Sequence, residues 1–498
     1  MTTRHAVATA SAPSPVSARL GAALAPPLAA APAAPSLTTR LWSQGLKREH
    51  GFEPLEIEGV IPAELRGTLY RNGPGQFEMD GTRYTHPFEG DGAITAVRLG
   101  GGAALGASII TPTAGLIEER AAGALRYGQA APWWRRVRNM IGGRRKNTAN
   151  TSALVWQGRL FALMEGAVPT ELDPRDLSVR GETALGGVVI QTFSAHPHRV
   201  GARRAIYGFG LEYGRTTRLH LYELPDAGAA RWIGSVVLDA AVMLHDFIAT
   251  DTHLVFFVSP ARVVVPRMLL QLGRFEDLWK WRPEHGTEVI CVPIDRPAEV
   301  VRFIVDAFYQ WHFASAFTRA GELVVDYVRY PDFDSFGQIG RYLSAPATAE
   351  DQMLTEGRAH RATIDLRART LRSEPLLDRP VEFPTVAPGR EGTADPTIYL
   401  AFDDLRAIGR LDPRTGAVVS HELPATQRVT EPLFVPRPGA TADDDGHVIA
   451  LCHDDPSDRA FLAIYDAARL PDGPVARAWF DHQVPITFHG TYAPDPLL

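Results

Sequence analysis

The chain has 498 residues, 45% hydrophobic and 22% charged, which suits a globular protein with a large core. A net charge of −6 excludes nucleic acid as the main partner, because phosphate binding needs a basic surface. Two distant cysteines, Cys291 and Cys452, exclude a disulfide framework and point to a reducing, cytoplasmic setting.

In chain order, residues 1–40 stand apart. They are rich in Ala, Pro and Ser, and the first acidic residue is Glu49. The segment reads as a disordered N-terminal tail, and its lack of acids also suits a transit or export signal. Pro26, Pro27, Pro32 and Pro35 break the apolar stretch Leu20 to Leu37, so it is not a spanning helix. From Trp42 onward, short β-rich runs recur between Gly, Pro and Asp turns: Ala205–Phe209, Leu254–Ser259, Leu323–Tyr330 and His447–His453. Residues 41–498 thus read as a single all-β domain, a propeller or a large barrel. No repeat motif gives a blade number. Two segments break the β texture, Pro132–Lys146 and Val263–Pro283. Both are expected to be short helices inserted between strands. Their cation-plus-aromatic composition fits peripheral docking in a membrane interface. A solvated arginine face over buried tryptophans, or a subunit contact, is the alternative.

Four of the sixteen histidines end or follow short apolar runs: His196 in Ser-Ala-His-Pro, His245 in Leu-His-Asp-Phe, His312 in Gln-Trp-His-Phe and His489 in Phe-His-Gly-Thr. They are spaced 49, 67 and 177 residues apart, so no helix turn can pair them and only a large closed fold can bring them together. Imidazoles without a carboxylate suit a redox metal such as iron. His198 is the nearest rival to His196, separated from it by Pro197. Glu165, Glu382 and Glu431 sit in apolar surroundings that ill suit a solvated charge. Each either takes the second N–H of a ligand histidine or forms a surface salt bridge at a strand end.

Gly67–Pro74 (GTLYRNGP), His86–Gly92 (HPFEGDG), Ala149–Gly166 (ANTSALVWQGRLFALMEG), Glu431–Gly446 (EPLFVPRPGATADDDG) and Phe488–Gly490 (FHG) carry a resemblance to the carotenoid cleavage oxygenases, most of all to the bacterial apocarotenoid oxygenases. It covers Trp42 to the C-terminus. It implies a seven-bladed β-propeller whose helical and loop insertions form a dome over an axial iron site. The iron ligands implied are His196, His245, His312 and His489, and the outer glutamates are Glu165, Glu382 and Glu431. The implied chemistry is Fe(II)-dependent cleavage of a conjugated C=C of a carotenoid or apocarotenoid by O₂, giving two carbonyl products from a lipophilic polyene held in an apolar tunnel. Glu89, Ser315 and Thr487 depart from the family pattern, and Ser315 and Thr487 are expected to alter the pocket wall. Stilbene cleavage is a second enzymatic reading, with Tyr84, Tyr127 and Lys146 as grips for a phenol. A non-catalytic lipid-binding propeller is a third.

Overall fold

The computed structural model describes residues 35–214, 216–344 and 357–495. Most of the tail expected over 1–40 lies outside these residues. Its boundary is corrected at the C-terminal side. Leu37–Leu41 form a helix, α1, capped by the Ser36 hydroxyl, which accepts from the Thr39 N–H at 3.1 Å. Leu37, Leu41 and Trp42 are buried in the main core. Burying three large apolar side chains, about 1.5–3 kcal/mol each, offsets the cost of ordering so short a helix.

The rest is antiparallel sheet, as expected. Sheet 1 runs His50–Pro54, Ala103–Ile110, Asp91–Gly100, Gly67–Gln76, His489–Pro494. Sheet 2 runs Val179–Glu182, Thr170–Leu172, Arg159–Leu163, Ser152–Trp156, and sheet 3 runs His198–Val200, Ala205–Glu212, Thr217–Pro225, Arg231–Leu238. Sheet 4 runs Ile248–Ala249, His253–Val258, Thr287–Pro293, Val301–Val305. The long strand Thr370–Val386 serves two sheets. Its first part pairs with Arg358–Asp365 to complete sheet 5, with Tyr309–Arg319 and Glu322–Tyr330. Its last part pairs with Ile398–Phe402 to begin sheet 6, with Ala407–Asp412 and Ala417–Glu422. Sheet 7 joins Glu56–Gly59, Ala476–Trp479, Arg459–Asp466, Gly446–Asp454 and Gln427–Val429, with Leu433–Pro436 also on Gly446–Asp454. Both ends of the chain are therefore stitched together, in sheet 7 and in sheet 1.

Apolar clusters join successive sheets face to face: 1 to 2, 2 to 3, 3 to 4, 4 to 5, 5 through 6 to 7, and 7 back to 1. The central strands are thus covered on both faces. In Gly446–Asp454, Val448, Ala450 and Cys452 face one cluster, and Ile449 and Leu451 the other. Side chains alternate as strand geometry demands. Polarity does not alternate, and that is why the sequence shows runs rather than a repeat.

Among the described residues, four further helices lie outside the sheets: α2 (Ala114–Ala122), α3 (Trp133–Ile141), α4 (Val265–Leu270) and α5 (Asp334–Ser344). α3 is the helix expected within Pro132–Lys146. Val263–Pro283 is only partly helical, because Ala261–Val263 pairs with Trp279–Trp281 and α4 bridges that ribbon. α2 and α5 were not anticipated.

His86 packs on Phe336 beneath α5, with ring centroids 4.6 Å apart. Its Nε2 donates to the Phe336 carbonyl at 3.0 Å, and its Nδ1 accepts from the Phe88 N–H at 3.1 Å. Burial pushes its pKa down to about 3. The unfolded chain therefore binds an extra proton between the ordinary histidine value and about 3. Stability from this site is complete above pH ~6.5 and falls by up to ~1.4 kcal/mol per pH unit below it. Denaturant unfolding across pH 4–7 should show a slope that shrinks in His86→Gln. An unchanged slope would remove His86 from the acid response.

Candidate metal centre

The four singled-out histidines meet. One ring nitrogen from each of His196, His245, His312 and His489 lies within 4.8 Å of the others. His196 Nε2 and His245 Nε2 face each other at 3.0 Å, and His312 and His489 have ring centroids 4.6 Å apart. Each comes from the edge strand of a different sheet or the residues just before it. His196 precedes His198–Val200 of sheet 3, and His245 precedes Ile248–Ala249 of sheet 4. His312 lies in Tyr309–Arg319 of sheet 5, and His489 begins His489–Pro494 of sheet 1.

Local distortion aims these side chains. One register irregularity, between Gln310 and Phe313, spans His312, and a second follows between Phe313 and Ser315. Such bulges redirect a side chain out of the regular pleat. Gly490 lets its strand close on Gly67–Gln76, since a Cβ there would meet the Tyr70 carbonyl oxygen at 2.2 Å. That approach sets the depth of His489.

The three glutamates come from the remaining sheets: Glu165 after Arg159–Leu163 of sheet 2, Glu382 at the start of sheet 6, and Glu431 before Leu433–Pro436 of sheet 7. His245 Nδ1 donates to Glu165 at 2.9 Å, His312 Nδ1 to Glu382 at 2.5 Å, and His489 Nδ1 to Glu431 at 2.7 Å. The surface salt-bridge alternative is therefore set aside. Phe383, next to Glu382, holds φ = 55°, a left-handed conformation rare for a bulky residue, beside a bulge between Glu382 and Thr385.

Burial alone would raise all three carboxyls, but their histidine partners outweigh it for Glu165 and Glu382 and leave both below the ordinary range. For Glu431, Arg71 joins His489 in doing so. His196 is pushed well down by burial and by the other three imidazoles. His489 falls to about 4 by burial, which Glu431 counters only in part because Arg71 shares that carboxylate. At His312 burial also lowers the pKa, but Glu382 outweighs it and the net shift is upward.

A metal fits this constellation. Once three Nδ1–H groups donate outward, the Nε2 atoms of His245, His312 and His489 carry lone pairs, that of His245 facing His196 Nε2 at 3.0 Å. The buried His312 Nε2 has no hydrogen-bond partner among the described residues. Imidazoles fixed by carboxylates one shell out are the usual preparation of a metal site.

The sequence reading missed Arg71, which is 1% exposed and pairs with Glu431 through NH1. Its NH2 donates to the Phe488 carbonyl at 2.8 Å. A charged residue inside the apolar run Gly67–Pro74 was the available signal. Three carboxylates against one guanidinium leave two negative charges, the number a divalent cation balances. Tyr330 was also missed. Its hydroxyl donates to Glu382 at 2.7 Å.

A cavity of about 660 Å³ opens on His245, His312 and His489. Its wall is largely apolar and includes Trp42, Phe88 and Phe488, with Trp311 against His245 at a ring-centroid distance of 5.0 Å and Phe383 against His312 at 5.5 Å. Glu89 lies in the wall, whereas Ser315 and Thr487 do not, contrary to expectation. The Ser315 hydroxyl turns to Asp326 at 3.3 Å, and the Thr487 hydroxyl accepts from Arg71 Nε at 3.2 Å. Tyr84, Tyr127 and Lys146 line the cavity but are engaged. Lys146 Nζ donates to Tyr84 Oη at 2.6 Å, to Asp91 at 2.8 Å and to Glu119 at 2.6 Å. The Tyr127 hydroxyl donates to Glu118 at 2.9 Å and accepts from Arg144 at 3.0 Å.

The family of the retinal pigment epithelial membrane protein matches residues 46–494. The apocarotenoid-15,15'-oxygenase of Synechocystis sp. is 30% identical, over 94% of this chain and 99% of that protein. The chain belongs to the carotenoid cleavage oxygenase family. It is thus an oxygenase by family, and it contains a four-histidine group able to hold a metal ion. The cobalt-substituted Synechocystis enzyme has a similar structure, with a TM-score of 0.84 and 28% identity over 92% of this chain and 98% of that one. The lignostilbene-α,β-dioxygenase isozyme III of Sphingomonas paucimobilis is 27% identical, over 90% of this chain and 95% of that protein.

Proposed function

We propose that this carotenoid cleavage oxygenase is a non-haem Fe(II) dioxygenase that splits a conjugated C=C of an apocarotenoid with O₂ into two carbonyl products. The observation that carries the reading is the inward set of four imidazole nitrogens at the end of an apolar cavity. His196, His245, His312 and His489 would hold the iron, with Glu165, Glu382 and Glu431 orienting three of them. Bound Fe(II) supplies the redox chemistry with O₂ that no side chain here can. The chain's own part is placement and exclusion of water. A polyene offers almost no hydrogen bonds, and its burial at about 25 cal/mol per Å² binds it without any. Its position along the cavity then selects the double bond presented to the imidazoles.

The seven sheets are the blades of a seven-bladed propeller in this reading. The face-to-face packing that returns from sheet 7 to sheet 1 supports it, as does one site residue from each sheet. The catalytic domain begins at Pro35, and α2 to α5 belong to the dome. Docking at a membrane surface is part of the proposal for this cytoplasmic enzyme. Trp133 and Trp134 are each 54% exposed, Leu269 and Leu270 are exposed beside them, and Trp133 Nε1 donates to the Leu270 carbonyl at 2.9 Å. Val265 and Leu269 also line the cavity, so this patch lies where a lipophilic substrate would enter. No described helix is long and apolar enough to cross a membrane.

An apocarotenal is favoured over a hydroxystilbene because the three residues that could grip a phenol are already paired. The Tyr213 hydroxyl and the Arg145 guanidinium also line the cavity and have no hydrogen-bond partner among the described residues, so a carbonyl end group can be received there. Purified protein should carry stoichiometric iron and, under oxygen, convert an apocarotenal into two carbonyl fragments identified by mass. Faster cleavage of hydroxystilbenes would transfer the proposal to that substrate. Protein without metal after anaerobic reconstitution would leave only the lipid-binding reading.

A further inference from the structure

His196 is the odd member of the four. Its partners each lean on a glutamate, but nothing among the described residues accepts from its Nδ1. The hydrogen bonding around the next residues shows what holds its segment. His198, two positions on and first residue of the edge strand of sheet 3, donates from Nε2 to Asp246 Oδ1 at 2.8 Å. The same Oδ1 accepts from the Phe247 N–H at 2.8 Å, and Oδ2 accepts from the Phe313 N–H at 2.8 Å. Asp246 is 1% exposed and adjoins His245 in the chain. One buried carboxylate is thus tied to the residue directly after His312 and to the residue two after His196, while itself following His245. It spans three sheets.

Resting on the iron-centre reading above, we infer that Asp246 is a positioning residue that sets the mutual spacing of His196, His245 and His312, and that His198 is the arm through which it holds His196. The glutamates orient three rings from behind. Asp246 instead fixes backbone, alongside the Ser152 hydroxyl bond to the Ala195 carbonyl and the Ser194 N–H bond to the Phe209 carbonyl at 2.6 Å on the fourth ligand's segment. His198 is therefore a support to the metal centre rather than a competing ligand. A carboxylate can accept all three N–H groups at once. An asparagine of equal size must turn an NH₂ toward at least one of them, which leaves two donors facing each other.

The test uses the full-length protein with Fe(II) or Co(II), and compares Asp246→Asn, His198→Ala, His198→Lys and the Asn/Ala double variant. Wild type should bind one metal per chain and give the visible bands of a four-imidazole Co(II) site. Asp246→Asn and His198→Ala should release metal to excess chelator about 10- to 100-fold faster, the usual loss on removing an outer-shell partner, and should shift the Co(II) bands. The double variant should release no faster than Asp246→Asn, since both cuts sever one contact. His198→Lys, whose ammonium can donate to the same oxygen, should recover most of the wild-type rate. Variants with wild-type release rates and spectra would overturn the inference, whatever happens to their melting temperatures, because a merely structural role changes only the latter. If Asp246→Asn does not fold, the His198 pair decides by the same two readouts. Wild type that takes up neither metal sinks the proposed function itself, and the positioning role with it.

Discussion

His312→Ala is expected to give a folded protein that retains no iron and forms no cleavage product. The fold should survive because Glu382 does not depend on His312 alone. It keeps the Tyr330 hydroxyl at 2.7 Å and the Phe383 N–H at 2.7 Å, so the variant buries no unpaired carboxylate. The Ala side chain leaves room for a water but supplies no lone pair. Three imidazoles then remain, with the outer negative charge unchanged. Iron per chain, measured after anaerobic reconstitution, separates this from loss of substrate binding. Stoichiometric iron with normal turnover would remove His312 from the ligand set, and with it the assignment of the four.

Arg71→Met should produce a large loss of stability. Arg71 and Glu431 are both buried, and Glu431 also serves His489 and accepts from the Gly490 N–H at 3.1 Å. Removing one partner of a buried pair leaves the other charge uncompensated, typically at about 3–5 kcal/mol. The change also leaves three negative charges around the metal instead of two. Added Fe(II) should therefore recover more melting temperature in Arg71→Met than in wild type. Arg71→Met combined with Glu431→Gln should be more stable than Arg71→Met alone, since the stranded charge is gone. Denaturant unfolding of the metal-free proteins checks both. A loss under about 1 kcal/mol would mean that Glu431 takes up a proton or water in place of the guanidinium.

How legible the centre was depended on where each residue's physics is local. A histidine after a short apolar run reads as a buried imidazole, and all four histidines of the centre carried that mark. A glutamate in an apolar stretch reads as a charge needing a partner, and Glu165, Glu382 and Glu431 all have one. Asp246 and Tyr330 carried no such mark. Aspartate after histidine is ordinary, and its three donors come from three separate sheets. Arg71 was conspicuous in its strand, but its partner is 360 positions away. Ser315 and Thr487 show the opposite error. They flank ligands in sequence, yet the strand period and the bulges around His312 turn their hydroxyls away from the cavity.

The all-β class, the strand runs, the helix in Pro132–Lys146 and the burial of the four singled-out histidines follow from the chain alone, because turn residues and apolar runs act over a few positions. Sheet number and the aim of every site side chain do not. The central strands are buried on both faces, so their sequence carries no polarity alternation from which to count sheets. The pairing of Gly67–Gln76 with His489–Pro494 joins residues more than 400 positions apart. Only packing of the whole chain brings one residue from each sheet to a common centre, and it is the left-handed turn at Phe383 and the bulges beside His312 that point them there.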